Sequence, residues 1–199
     1  DETLLVLVDT SASMRATLSG QSAFGLGIEQ LKSFLRKLPP IKVGVIAYSN
    51  KIEKQSAPTK DLSRVMTELD QLKLTYHPTD ISAALKSAYE TLSSYRKNRK
   101  SILILTDNAK GQWSSVKGKV ESWPEFDADV QLIVWQVFES KGNVGITNAQ
   151  LDLTQEGLLK GALTVAHYQN EHKETLWNFK LGSKVMDQGV LAKDSKNPL

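Results

Sequence analysis

Apolar positions follow two different spacings along the first part of the chain. Short continuous apolar runs, typical of strands buried on both faces, alternate with stripes in which every third or fourth residue is apolar, typical of amphipathic helices. The runs lie at residues 4–8, 41–48, 102–105 and 130–135, with a shorter edge strand expected at about 51–57. The stripes run from Phe24 to Leu38, from Leu62 to Leu72 and from Ile81 to Leu92. This alternation predicts an α/β fold, with a doubly wound and mainly parallel sheet covered by helices on both faces.

The pattern changes after residue 139, where a polar stretch leads into short segments of strand character. These segments are residues 146–153, 162–168, 175–181 and 184–186. Gly182-Ser183, between the last two, is a typical two-residue hairpin turn. We therefore predict two domains: the α/β domain over residues 1–139 and a small antiparallel β-sandwich, complete or truncated, over residues 144–193.

Polar oxygen-bearing side chains follow two of the predicted strands and precede one helix. Asp9, Ser11 and Ser13 come directly after the first strand, Asp107 follows the strand at 102–105, and Thr79 precedes the helix that begins near Ile81. Ligands of α/β proteins bind beyond the carboxyl ends of parallel strands, so these residues are expected at one edge of the sheet. The structural alternative is that the first three only cap the next helix and that Asp107 is a turn former.

The Asp-x-Ser-x-Ser loop, the Thr midway along the domain and the Asp after a central strand resemble the metal-ion-dependent adhesion site of the von Willebrand factor A family. The resemblance covers roughly residues 1–140. It implies one Mg²⁺ or Mn²⁺ ion, with Ser11 and Ser13 as direct ligands and Asp9 and Asp107 holding metal-bound waters. Thr79 would bind directly or through water. The coordination position left open would accept an Asp or Glu carboxylate from a protein partner.

Residues near these five are candidates for a partner-binding rim. Asp80 could instead be a helix N-cap, and Trp113 could instead begin a helix near residues 113–122 and pack inward. Lys110 and Gln112 lie in the same loop and could also contact a partner. Ser11 and Thr79 are expected on an exposed loop edge, so their substitution should cost little stability. The rim residues are His77, Asp80, Asn108 and Trp113.

Composition narrows the partners and leaves the compartment open. The chain has 199 residues, a formal net charge of +3 and no cysteine. So mild a charge does not favour nucleic acid as a partner. A chain without cysteine suits a reducing compartment or a cysteine-poor bacterial envelope. No apolar run reaches the roughly 20 residues that span a bilayer, and the first strand begins almost at once. We expect a piece of a membrane-anchored envelope protein whose anchors lie in flanking segments.

Three functions compete. The first is the metal-dependent binding module, and the second is a structural domain of the same family that binds no metal. The third is a metal-dependent hydrolase, which the sequence disfavours because it lacks a second acidic cluster, a Gly-rich phosphate loop and a G-x-S-x-G elbow. We therefore expect no enzymatic activity.

The end of the chain departs from the family's usual pattern. Many A domains finish with a long amphipathic helix, whereas here a linker and β-like sequence follow the last predicted strand, so an integrin-like relay of shape change is not expected. That layout, with the phrase Asn143-Val144-Gly145-Ile146-Thr147, resembles the Ig-like segment after the A domain in bacterial envelope proteins of the aerotolerance-operon type.

Overall fold

The computed structural model consists of two compact units, Asp1–Glu139 and Ser140–Leu199, which are described separately. It describes residues 2–18, 20–95, 99–108, 110–137, 143–153, 159–168, 174–181 and 183–192.

The first unit is built on a five-stranded sheet in the order β5-β4-β1-β6-β7, all parallel except for β5, which pairs antiparallel with β4. The predicted α/β fold with a mainly parallel sheet is confirmed. The strands of this unit are β1 (Glu2–Asp9), β2 (Thr17–Leu18), β3 (Gln21–Ser22), β4 (Lys42–Tyr48), β5 (Ile52–Gln55), β6 (Arg99–Thr106) and β7 (Gln131–Gln136). The helices are α1 (Ala23–Leu35), α2 (Leu62–Asp70) and α3 (Ser82–Ser93).

The central strand β1 separates two hydrophobic cores. Leu4, Val6 and Val8 pack on the face covered by α1 and α2, whereas Leu5 and Leu7 pack on the face covered by α3. Successive side chains of a strand point to opposite faces, so a strand covered on both sides must be apolar throughout. The burial of both faces explains why β1 appears in the sequence as an uninterrupted apolar run. The same packing holds the end of the strand rigidly in place.

The strand β7 forms one edge of the sheet and is exposed on both faces. Its side chains Leu132, Ile133 and Val134 are 38–43% exposed. The next residue, Trp135, is covered in part by Phe34 of α1, in an edge-to-face contact with ring centroids 5.6 Å apart. The sheet is therefore well packed at its centre, where the candidate residues lie, and open at this edge.

The second unit contains β-strands, β8 (Asn143–Leu153), β9 (Leu159–Tyr168), β10 (Glu174–Leu181) and β11 (Lys184–Ala192). They form two antiparallel pairs, β8 with β9 and β10 with β11. Gly182 lies outside the described residues, but Leu181 pairs with Lys184, as the predicted hairpin requires. The Ig-like sandwich stays a prediction. Within the described ranges, no helix combines the length and the apolar character that a bilayer crossing demands.

Candidate metal centre

The carboxyl ends of β1, β4 and β6 bring three polar segments to one edge of the sheet. Asp9 ends β1 beside Tyr48, which ends β4, and Thr106 ends β6 on the other side. The loop after β1 contains a short 3₁₀ turn over Ala12–Arg15, and the loop after β6 contains a second over Lys110–Trp113. Because parallel strands end together, side chains far apart in sequence meet here.

The carboxylate of Asp9 connects three of these segments. Its Oδ1 accepts a hydrogen bond from the backbone N–H of Ser11 at 2.9 Å. Its Oδ2 accepts from the hydroxyl of Thr106 at 2.9 Å and from that of Thr79 at 3.3 Å. Burial raises the pKa of Asp9, and repulsion from Asp107 adds to this rise, although the hydrogen bonds from Ser11 and Thr106 oppose it. A buried carboxylate beside a second one is a position where a cation is favourable.

The two serine hydroxyls of the first loop lie next to each other, with Ser11 Oγ 3.1 Å from Ser13 Oγ. Ser11 precedes the 3₁₀ turn but makes no side-chain capping bond to it. The helix α1 is capped instead by Ser22, whose hydroxyl accepts from the N–H of Gly25 at 3.0 Å. The alternative that the loop only caps the next helix is therefore wrong for the hydroxyl of Ser11. The expectation that Ser11 sits on an exposed edge is also wrong, because Ser11 is completely buried.

Asp107 brings a second carboxylate to the site. Its Oδ1 is buried and has no hydrogen-bond partner among the described residues. The chain reverses at Asn108, whose φ of 58° lies in the left-handed region that Asn tolerates better than most residues. The backbone N–H of Asn108 donates to Thr106 Oγ1 at 3.0 Å, which fixes this reversal. A turn does not account for the orphaned oxygen of Asp107, since an unpaired buried acceptor costs free energy.

Backbone hydrogen bonds hold the segment before α3 against the first loop. The N–H of Ala12 donates to the carbonyl of His77 at 2.9 Å, and the N–H of Thr75 donates to the carbonyl of Thr10 at 2.8 Å. On the other side, the N–H of Asp80 donates to the carbonyl of Ser49 at 2.9 Å. These bonds place Thr79 beside Asp9, while the side chain of His77 remains exposed.

Asp80 comes directly before Ile81, which is the N-cap of α3 and makes no side-chain capping bond. Its Oδ1 accepts from the backbone N–H of Ser82 at 2.9 Å and from the hydroxyl of Ser115 at 2.6 Å. Burial is the largest single influence and would raise the pKa of Asp80, but the hydrogen bonds from Ser115 and Ser82 together lower it. Because Ser82 is the first residue of α3, this is not the usual N-cap bond, which goes to the second or third helical residue. The two hydrogen bonds of Asp80 instead tie the start of α3 to Ser115 in the segment after β6.

No α-helix forms near residues 113–122, which corrects that prediction. The described chain there consists of turns and a short 3₁₀ segment, Val120–Ser122. Gly118 has a φ of +71°, which a continuous helix does not allow. Trp113 packs against the core on the α3 face, and its Nε1–H donates to Asn108 Oδ1 at 2.8 Å. It therefore braces Asn108 while remaining partly exposed.

A buried polar group beneath Asp9 could not be recognised from the sequence. Gln112, which could have contacted a partner, is fully buried. Its Oε1 accepts from Tyr48 Oη at 3.1 Å and lies 3.1 Å from Thr106 Oγ1, whose proton is directed to Asp9. Burial and the charge of Asp9 raise the pKa of Tyr48 well above its ordinary value. The position of Thr106, directly before Asp107 in the sequence, could have indicated that Thr106 belongs to the site. Nothing in the spacing of Tyr48 and Gln112 pointed to their contact.

The donor set suits a hard divalent cation. Within the described part of the chain no three residues of the His, Cys, Asp or Glu type come together as a metal-binding group. Any ion here would therefore depend on hydroxyl oxygens, which Ser11, Ser13 and Thr79 provide beside the carboxylates of Asp9 and Asp107. Hydroxyl, carboxylate and water oxygens are the ligands of Mg²⁺ and Mn²⁺. The orphaned oxygen of Asp107 fits a metal-bound water as its missing donor.

Comparisons with known proteins agree with this architecture. A family model described as von Willebrand factor type A domain matches residues 4–111. The structure of the conserved hypothetical protein BatB from Bacteroides thetaiotaomicron is similar, with a TM-score of 0.61 and 20% identity over 86% of this chain and 82% of that one. An aerotolerance-related membrane protein from Bacteroides fragilis gives a TM-score of 0.58 and 19% identity over 86% and 83% of the two chains. No curated protein matches the sequence significantly. At these identities the likeness to the two structures concerns the fold.

Proposed function

Since the chain belongs to the von Willebrand factor type A domain family, we propose that it binds a protein partner through one Mg²⁺ or Mn²⁺ ion at the carboxyl edge of its sheet. The family indicates a protein-interaction or adhesion module, and its domains are typically not catalytic. To this family-level function the proposal adds the metal, its ligands and the acidic group of the partner.

One observation carries the proposal. Two carboxylates, Asp9 and Asp107, lie close enough for one to raise the pKa of the other, and an oxygen of Asp107 is buried without a described partner. The hydroxyls of Ser11, Ser13 and Thr79 lie beside them. Two nearby like charges and an orphaned acceptor are unfavourable unless a cation or its waters balance them.

The neutral and the charged residues of the proposed site have different roles. Ser11, Ser13 and Thr79 supply neutral oxygens, whereas Asp9 is already occupied by hydrogen bonds to Ser11 and Thr106 and orients the loop. A bound divalent ion supplies Lewis acidity that neutral ligands leave largely uncompensated, so an anionic oxygen from a partner is the favoured additional ligand. An exposed Asp or Glu on the partner provides that oxygen.

The rim of the site has both fixed and accessible side chains. Asn108 and His77 are exposed, and Trp113 is partly exposed. Asn108 is held by Trp113 and by its own amide, which donates to Gln136 Oε1 at 3.3 Å. We propose that these three residues contact the partner, and that Asp80 supports the rim through its bonds to Ser82 and Ser115.

The proposed location is the cell envelope. One of the similar structures is that of an aerotolerance-related membrane protein. An extracytoplasmic binding module is compatible with a chain that contains no cysteine. Attachment to a membrane would come from segments beyond this chain.

The first experiment measures metal binding by isothermal titration calorimetry with MgCl₂ and MnCl₂. Wild-type protein should bind one ion per chain, and Asp107→Asn and Thr79→Ala should lose most of that binding while keeping the wild-type circular dichroism spectrum. Asp129→Asn and Thr67→Ala are matched controls, because both positions are exposed and lie away from the site. Absence of binding by wild-type protein at millimolar metal would favour the structural, metal-free alternative.

The second experiment tests the partner. Wild-type and Thr79→Ala proteins serve as baits in pull-downs from the native organism, each with Mg²⁺ or with EDTA. A partner retained only by wild-type protein in Mg²⁺ supports the proposal, and replacing its exposed Asp or Glu should release it. A partner retained equally in all four conditions would show that recognition uses another face. The same preparation should not hydrolyse a phosphate monoester, which separates the binding module from a metal-dependent hydrolase.

A further inference from the structure

We propose that Tyr76 and Arg15 form a second recognition element beside the metal centre, which takes an apolar or aromatic residue of the partner lying within three residues of its metal-binding carboxylate. This inference rests on the proposed function and specifies the partner of the same site. We name the pair of side chains the Tyr76–Arg15 platform.

Tyr76 is the most exposed of the large apolar side chains that the structure describes, with 82% of its surface accessible. Burying an aromatic ring is favourable, and a ring left in water at the rim of a site can gain this free energy when a partner covers it. Rings of this kind often dominate the binding energy of protein interfaces.

The exposed ring is held in place from below. The guanidinium of Arg15 lies 3.9 Å from the centroid of the Tyr76 ring, within the range of a cation–π contact. Two further bonds fix the guanidinium, since Nε donates to the carbonyl of Thr75 at 3.2 Å and Nη2 donates to the carbonyl of Leu74 at 3.1 Å. A ring fixed before binding loses little entropy on binding, which favours a recognition role over an incidental exposure.

The platform adjoins the metal centre on both of its chain segments. Arg15 comes two residues after Ser13, and Tyr76 comes three residues before Thr79. The bond from the N–H of Ala12 to the carbonyl of His77 joins the two segments next to these points. Three residues of extended chain span at most about 10 Å. We therefore expect a partner residue on the platform within about three positions of the carboxylate at the metal.

The charge under the ring selects the chemistry of that residue. None of the ion pairs found among the described residues includes Arg15, so its positive charge is not neutralised by a described carboxylate. A cation on one face of a ring draws π-electron density towards itself, and a second cation on the outer face is disfavoured. Aromatic rings, proline and leucine gain from the outer face of Tyr76, whereas lysine and arginine do not.

The probe is a phage-displayed library of heptapeptides with a fixed central aspartate and random flanks, selected on the full chain in MgCl₂ and eluted with EDTA. Tyr76→Ser is the test variant. Tyr95→Ser is the matched control, because Tyr95 also contacts a cation, the ammonium of Lys42 at 5.1 Å. Lys42 begins β4, so this pair lies at the end of the strand opposite to the metal centre. Melting temperatures should be unchanged for Tyr76→Ser, since the side chain is exposed.

We expect the wild-type and Tyr95→Ser pools to be enriched in aromatic, proline or leucine residues near the aspartate, and the Tyr76→Ser pool to lose this enrichment. The best wild-type peptide should bind Tyr76→Ser about tenfold more weakly by fluorescence anisotropy. Arg15→Lys should also weaken it, because an ammonium does not hold both carbonyls; equal affinity would overturn the role of Arg15.

Two outcomes overturn the inference in distinguishable ways. If EDTA elutes the wild-type peptides but their flanks match those of the Tyr76→Ser pool, the platform has no recognition role and the proposed function stands. If EDTA releases no bound phage from wild-type protein, both the platform and the metal-dependent function are overturned.

Discussion

Replacement of Gln112 should destabilise the protein through the hydroxyl of Tyr48 that it leaves unpaired. In Gln112→Ala, two buried methylenes are lost at about 0.8 kcal/mol each. The hydroxyl of Tyr48 loses its acceptor, and an orphaned buried hydroxyl costs about 1–3 kcal/mol. The substitution also removes the amide Nε2 of Gln112, which is buried without a described partner, and this offsets part of the cost. The expected loss of unfolding free energy is therefore about 3 kcal/mol. Tyr48→Phe alone removes one neutral hydrogen bond and should cost about 1 kcal/mol.

The double variant distinguishes this explanation from simple loss of packing. Without the Tyr48 hydroxyl, no buried donor is left without an acceptor. The unfolding free energy of Tyr48→Phe/Gln112→Ala should therefore fall by only about 2 kcal/mol, against about 4 kcal/mol if the two effects were independent. Urea unfolding in EDTA, followed by tryptophan fluorescence, measures all four proteins. Gln131→Ala, at an exposed position on β7, is the control and should stay within about 0.5 kcal/mol of wild type. Additive losses from the two single substitutions would refute the reasoning.

Three further predictions concern charge and packing. Asp9→Asn should raise the melting temperature of the metal-free protein in EDTA at neutral pH, because the raised pKa of Asp9 means that its ionised form destabilises the metal-free fold. The same substitution should abolish divalent-ion binding. Gly27→Ala should lower the free energy of unfolding, measured with urea, by about 1 kcal/mol. A Cβ there would lie 2.9 Å from a methyl of Val137, and this crowding outweighs the gain in helix propensity. The hydrogen bond from Lys100 lowers the pKa of Asp127, so this pair stabilises the fold above the unfolded pKa and loses its effect as acid protonates Asp127. The small stability difference between wild type and Asp127→Asn at pH 7 should accordingly begin to fall near pH 4, about the unfolded pKa, and vanish only below the lowered pKa of the folded state.

The sequence predicted the central sheet well because its strands are buried on both faces. The runs that became β1, β4 and β6 are continuously apolar, and few other local structures require this pattern. Strand ends of a parallel sheet meet at one edge by topology alone, so Asp9 and Asp107 could be placed together before any distance was known.

Other parts of the site depended on contacts that no local pattern encodes. The pairing of Tyr48 with Gln112 joins residues 64 positions apart, and one polar residue in a loop gives no sign of such a partner. The same applies to the burial of Ser11, which no local pattern of the sequence indicates. A helix near residues 113–122 was the alternative interpretation of Trp113, but the left-handed conformation at Gly118 is incompatible with it.

The central place of β1 has a consequence for how the protein is made. Its residues, Glu2–Asp9, leave the ribosome before the other strands of the sheet, but one of their two neighbours in the sheet, β6, begins only at Arg99. At typical synthesis rates the nascent strand waits roughly 5–20 s for this neighbour. Asp9 and Asp107 stay apart throughout that interval. Capture of a divalent ion by both carboxylates would therefore be a late event in biogenesis, and it would distinguish finished sheets from partly synthesised ones.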